Sequence, residues 1–149
     1  MAWSASGIMV ASYVDKWDDT QLATDMTSET DIKAAFFKST VTPNFTTDTA
    51  YNAGTWLLAN EAAGAGYTAG GLVLTGTTFL AGSGSAVFDA NNISIPSSTI
   101  TAEGYLGYDD AHADRALWAT WFGAVEETQD GTFLVTHDPG GIYALDLTP

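Results

Sequence analysis

The sequence predicts an all-β fold, either an antiparallel β-sandwich or a small barrel, preceded by an N-terminal extended or partly helical arm. Short apolar runs recur about every 8–12 residues, and Gly, Asn or Pro residues separate them. No helical pattern alternates with these runs, which argues against an α/β fold. A chain of 149 residues is the common size of one domain. We therefore expect an arm over residues 1–30 and a single β-domain over residues 31–149.

The arm has neither clean helical periodicity nor a convincing helix cap. Tyr13 and Trp17 are four residues apart, which suits one helix face, but the pattern does not continue. We expect at most a short helix here.

Nine segments after residue 30 combine apolar and β-branched residues in the way that is typical of strands. They are residues 32–38, 71–75, 77–80, 85–89, 93–96, 98–106, 117–122, 132–136 and 141–147. Residues 111–122 are ambiguous, because their Ala-rich spacing after Asp110 or Asp114 also fits a helix. A strand from Arg115 is favoured, since two Trp and one Phe prefer a pleated surface.

Two junctions carry the residues of tight turns. Asp130-Gly131 lies between two apolar runs, a combination that permits positive φ at both central positions of a hairpin turn. Asp138-Pro139-Gly140 precedes the last strand, where Pro fixes one φ and Gly allows the other. The sequence thus predicts a hairpin over residues 133–147 that belongs to the core sheet.

The charge balance excludes several kinds of partner. Four Lys and Arg residues against 18 Asp and Glu give a formal net charge of −14. Such a surface repels phosphate, so nucleic acid and anionic membranes are not expected as partners. No apolar run approaches the length of about 18 residues that a membrane-spanning helix needs, and the start lacks a signal-peptide n-region. The absence of cysteine excludes thiolate metal sites and cysteine nucleophiles.

No motif predicts catalysis, a cofactor or a metal ion. The acidic loop over residues 109–114 resembles a calcium loop in its alternating oxygen ligands, but it lacks the central Gly and the distal Glu, so a hydrated loop is the better interpretation. The sequence has no Gly-x-Ser-x-Gly nucleophile motif, so His112 and His137 do not indicate a serine triad. Glu126 and Glu127 are neighbours on a predicted strand and should point to opposite faces, which does not suit a glycosidase pair.

Large apolar side chains in the arm predict a packing partner for it. The candidate partner-binding residues are Trp3, Ile8, Met9, Val10, Tyr13 and Trp17. The residues alone leave open whether the arm packs on its own domain or on a neighbour. Our hypothesis is that residues from 1 to about 30 dock on a neighbouring subunit.

The order of these motifs resembles that of small virion proteins from the structural modules of tailed bacteriophages. The likeness covers nearly all of the chain. It lies in the general residue composition and in the order of the motifs along the chain. It is carried by the acidic arm and by Ile32-Lys33-Ala34-Ala35-Phe36-Phe37, Thr42-Pro43-Asn44-Phe45, Asp48-Thr49-Ala50-Tyr51, Asn60-Glu61, Gly64-Ala65-Gly66-Tyr67, Ala69-Gly70-Gly71, Leu74-Thr75-Gly76-Thr77, Val87-Phe88-Asp89-Ala90, Ser98-Thr99-Ile100-Thr101-Ala102, Tyr108-Asp109-Asp110, Asp130-Gly131-Thr132-Phe133 and Gly141-Ile142-Tyr143.

The resemblance implies a non-enzymatic structural protein that is assembled into the virion in the host cytoplasm. A capsid decoration protein that binds the major capsid protein, and forms a homo-oligomer, is the first expectation. A tail or head–tail accessory protein that binds other virion subunits is the second. An enzyme or a carbohydrate-binding module is the third, favoured only by the residues themselves, through exposed aromatic side chains and the acidic loop. The uniform acidic charge agrees with a soluble particle surface.

Overall fold

The computed structural model describes residues 3–17 and 24–148, and β-strands dominate this part of the chain. The all-β prediction is confirmed. The strands are β1 (Gly7–Ile8), β2 (Ile32–Phe37), β3 (Leu72–Val73), β4 (Thr78–Ala81), β5 (Ser85–Asp89), β6 (Ile93–Ser98), β7 (Thr101–Asp109), β8 (Arg115–Glu127), β9 (Gly131–Val135) and β10 (Tyr143–Asp146). The helix α1 spans Val10–Trp17, and two 3₁₀ turns span Gly54–Trp56 and Leu58–Asn60.

The strands form three antiparallel sheets. The central sheet has the order β1-β8-β7-β2-β3, a second has the order β10-β5-β4, and β6 pairs with β9 in the third. The two longest strands, β7 and β8, form a hairpin from Asp109↔Arg115 at the turn to Thr101↔Glu127 at the far end. The description of these sheets as a sandwich or a barrel stays a prediction.

The central sheet is apolar on both faces. In β2, Ile32, Ala34 and Phe36 belong to one core cluster, whereas Ala35 and Phe37 belong to another. Successive residues of a strand point to opposite faces, so the two clusters lie on opposite sides of the sheet. We call the first the sheet-side core, because it lies on the side of the central sheet that faces the other two sheets. Those sheets contribute Phe88, Ile95 and Phe133 to it. We call the second the arm-side core, to which Trp3, Met9 and Trp56 contribute.

The prediction that residues 133–147 form a hairpin is wrong. Its turn forms, with Gly141 N donating to Asp138 O over 2.9 Å, but the flanking strands diverge. β9 pairs with β6, and β10 pairs with β5. The Asp130-Gly131 turn likewise does not pair β8 with β9, although Asp130 has the positive φ of 51°. Alternating apolar residues predict a buried strand face without specifying the neighbouring strand.

The strand predicted from Arg115 is confirmed, and no helix forms over residues 111–122. Two register shifts interrupt the β7–β8 pairing, between Ala102 and Gly104 and between Gly107 and Tyr108. Gly107 faces the Trp118 indole so closely that a Cβ atom there would lie 2.2 Å from the ring. A glycine inside a strand often marks such a close approach.

The N-terminal segment is part of this architecture. β1 pairs with β8 through Gly7↔Ala119 and Ile8↔Trp118. These described residues of the arm therefore contact the central sheet, and the division into an arm over residues 1–30 and a β-domain over residues 31–149 stays a prediction. Within the ranges that the structure describes, no helix is long and apolar enough to cross a membrane.

Candidate docking surface

Two of the six predicted partner-binding residues are core residues of their own chain. Trp3 is 2% exposed and Met9 is 0% exposed, and both belong to the arm-side core. The Trp3 ring meets the Trp56 ring edge-on at a centroid distance of 5.4 Å, and it lies against the bare backbone of Gly104. The side chains of Trp3 and Met9 are thus covered within their own chain, and a role for them as anchors on a neighbouring subunit stays a prediction.

Two others, Ile8 and Tyr13, are half-buried. Ile8 lies in β1 opposite Trp118. The hydroxyl of Tyr13 lies 2.5 Å from that of Tyr143 in β10, and burial raises the pKa of Tyr13 to about 12. Both residues therefore contact their own chain, and part of each side chain stays exposed to solvent.

The remaining two, Val10 and Trp17, are exposed on α1. Val10 is 49% exposed, Val14 is 54% exposed and Trp17 is 83% exposed. With Tyr13 they occupy positions i, i+3, i+4 and i+7, which form one face of a helix. The structure thus brings three of the predicted residues together on α1. It adds Val14, which the same spacing from Val10 could have indicated.

The polar side of α1 faces the protein. Ser12 is buried, and its Oγ donates to the carbonyl of Ala116. Arg115 donates from Nε to Ser12 Oγ over 3.0 Å and forms an ion pair with Asp15. At the start of the helix, Val10 N donates to Phe45 O over 2.8 Å. These bonds fix the rotation of α1, so that its apolar face points outward.

This outward face lines an open groove of about 610 Å³, which we call the α1 groove. Its wall consists of Ile8, Val10, Tyr13, Val14, Trp17 and Leu145. A second cavity of about 320 Å³ adjoins it and shares Tyr13, Trp17 and Leu145. Soluble monomeric proteins rarely leave a contiguous apolar surface of this kind uncovered, and such surfaces mark binding sites. The α1 groove is the best candidate docking surface in the described part of the chain.

The acidic loop between β7 and β8 forms an internal polar network. Asp109 is fully buried, accepts a hydrogen bond from Ala111 N over 3.1 Å, and has Oδ2 2.8 Å from His112 Nδ1. Lys33 pairs with Asp110 at 2.7 Å. Across the described residues, no group of three or more acidic or histidine side chains has the arrangement of a metal site. The loop's contacts hold the β7–β8 turn against β2.

A buried carboxylate for which the sequence predicted no role organises residues 64–71, which contain four glycines and which we call the glycine-rich loop. Glu61 is 1% exposed, and its Oε1 accepts from Tyr67 Oη over 2.6 Å and from Gly70 N over 2.8 Å. Its Oε2 accepts from Tyr51 Oη over 2.8 Å. Burial, followed by the hydrogen bond to Glu61, raises the pKa of both tyrosines. With three donors around it, this carboxylate fixes the loop structurally.

The chain matches no family model, no curated protein and no solved structure.

Proposed function

We propose that the protein is a non-enzymatic structural protein of a tailed-phage virion that binds another virion subunit through the α1 groove. Capsid decoration on the major capsid protein is the favoured role. The observation that carries the proposal is the outward apolar face of α1, with Trp17 exposed at its end. The resemblance in motif order and the acidic composition support the virion setting.

The geometry of α1 also indicates the kind of partner surface. Apolar residues at i, i+3, i+4 and i+7 are the anchors by which a helix packs on an apolar surface of its partner. Trp and Tyr are the residues that most often dominate such interfaces. A net charge of −14 favours a partner whose apolar surface is surrounded by basic residues. Homo-oligomerisation stays a prediction, and it would have to overcome repulsion between like charges.

The location of the protein in the virion is tested by its copy number. Quantitative mass spectrometry of purified particles of the phage that encodes the chain measures this number. Hundreds of copies per particle support a decoration protein on the capsid lattice. A few copies, as in a ring or a fibre, support the tail or head–tail alternative. Absence from purified particles would overturn the virion proposal.

The docking surface is tested by incorporation of a triple variant, Val10→Ser with Val14→Ser and Trp17→Ser. We expect its incorporation to fall at least about tenfold, since truncating one aromatic anchor can cost about 2 kcal/mol. The matched control is Leu57→Ser with Leu58→Ser, which are also exposed apolar residues but lie outside the groove. Equal incorporation of both variants would show that the α1 groove is not the binding surface.

A further inference from the structure

A second surface, distinct from the α1 groove, lies between the end of β8 and β9. It is an open cleft of about 660 Å³. Five successive residues, 132–136, line it, of which the first four belong to β9 and the fifth follows its end. Because successive side chains alternate between the two faces of a strand, a cleft that touches all five runs along the edge of the strand. The cleft therefore opens onto the hydrogen-bonding edge of β9.

Within residues 3–17 and 24–148, no strand pairs with this edge. β9 pairs with β6 on one side, and the two strands make a sheet of their own in the described part of the chain. A strand paired on one side presents alternate N–H and C=O groups on the other, which is a template for a further strand. Leu134, in the middle of β9, is 60% exposed. The edge is about 17 Å long, as five residues of a strand span that distance.

The walls of the cleft define what could enter. Phe122 and Phe133 form an apolar floor, with ring centroids 5.9 Å apart, and Phe133 is largely covered. Glu126, Glu127 and Asp138 stand on the rim and are exposed. No Lys or Arg is among the described residues that line the cleft. An entering segment would thus meet apolar surface below and carboxylates at the rim.

We propose that the edge of β9 binds an extended segment of another polypeptide as an added antiparallel or parallel strand. The segment alternates apolar residues, which pack on Phe122 and Phe133, with Lys or Arg residues, which face Glu126, Glu127 and Asp138. Main-chain hydrogen bonds supply affinity in this mode of recognition, and alternate side chains supply specificity. A sugar is disfavoured, because the two Phe rings pack on each other and on the core. The inference does not depend on the virion role.

The experiment uses the full chain labelled with ¹⁵N and a ten-residue peptide of alternating Lys and Val. Titration should shift the amide signals of residues 132–136. A second peptide has the same sequence but carries a methyl group on every second backbone nitrogen. It keeps the charges and side chains, but one edge of the extended peptide loses its N–H donors. Its affinity should fall by about tenfold or more, since several main-chain hydrogen bonds are lost together.

Charge is tested separately with Glu126→Gln plus Glu127→Gln, which should weaken peptide binding by about threefold to tenfold at low salt. The control, Thr46→Lys plus Ser83→Lys, changes the net charge equally at exposed positions outside the cleft and should leave affinity nearly unchanged. Equal binding of the methylated peptide, shifts confined to other residues, or no binding at about 1 mM peptide would overturn the proposal. Displacement of the peptide by a hexasaccharide would instead assign the cleft to carbohydrate.

Discussion

Trp3 shows how a residue near a chain terminus becomes a core residue. The backbone of Gly104 leaves a space that the indole fills, and a Cβ atom at that position would lie 2.5 Å from the Trp3 ring. Trp56 closes the other side of the ring. Two residues about 50 and 100 positions away in the sequence therefore bury a side chain that the arm alone could not cover.

We expect Trp3→Ala to destabilise the protein by about 3–5 kcal/mol, because it removes a large buried side chain and leaves a cavity. The matched control is Trp17→Ala, which removes the same atoms from an exposed position and should change the free energy of unfolding by about 0.5 kcal/mol or less. Urea unfolding followed by circular dichroism measures both. Equal losses from the two variants would contradict the assignment of Trp3 to the core.

Glu61→Gln tests the carboxylate that organises the glycine-rich loop. The amide keeps the shape of the side chain, but it replaces one acceptor oxygen by a donor that faces Tyr51, Tyr67 or Gly70. We expect a loss of about 2 kcal/mol or more in the free energy of unfolding, since hydrogen bonds to a charged acceptor are broken. Hydrogen exchange at Gly70 should quicken in the same variant. Unchanged exchange there would show that Glu61 does not hold the loop.

At the scale of elements, substitutions on the outward face of α1 should cost much less stability than a substitution at the residue before the helix. Val14→Ser lies on the outward face and should leave the melting temperature within about 2 °C of the wild type. Met9→Ala lies just before the helix and should lower the free energy of unfolding by about 2–5 kcal/mol, because Met9 is fully buried. Differential scanning calorimetry measures both variants. A large loss from Val14→Ser would mean that the face is covered within the chain.

Strand positions could be predicted from the sequence, but strand partners could not. Apolar and β-branched runs located β2 and the later strands, since a half-buried pleated surface selects those residues locally. The partners of β9 and β10 depend on which distant apolar face is available, and the turn at Asp138 is compatible with either arrangement. For the same reason the arm's apolar residues predicted burial without showing that Trp3 and Met9 face inward while Val10 and Trp17 face outward.

At the scale of the whole molecule, the protein should lose stability at alkaline pH. The pKa values of all six tyrosines are raised, with burial as the first cause in each case. In the unfolded chain the tyrosine hydroxyls release their protons near pH 10. In the folded protein Tyr13 keeps its proton to about pH 12. Above pH 10 the folded state therefore binds more protons than the unfolded state, and the free energy of unfolding falls as the pH rises. The stability from these protonated tyrosines is complete below pH 10.

Urea unfolding at intervals from pH 8 to pH 12 should show a flat region followed by a steady loss that begins near pH 10. Tyr13→Phe removes one titrating group, so the loss between pH 10 and pH 12 should be shallower in that variant. Each tyrosinate that forms also adds to a net charge of −14, and repulsion among these charges acts in the same direction. Added salt screens that repulsion and should recover part of the loss, whereas the part caused by burial remains. A stability that stays level up to pH 11 would contradict the burial of the tyrosine hydroxyls.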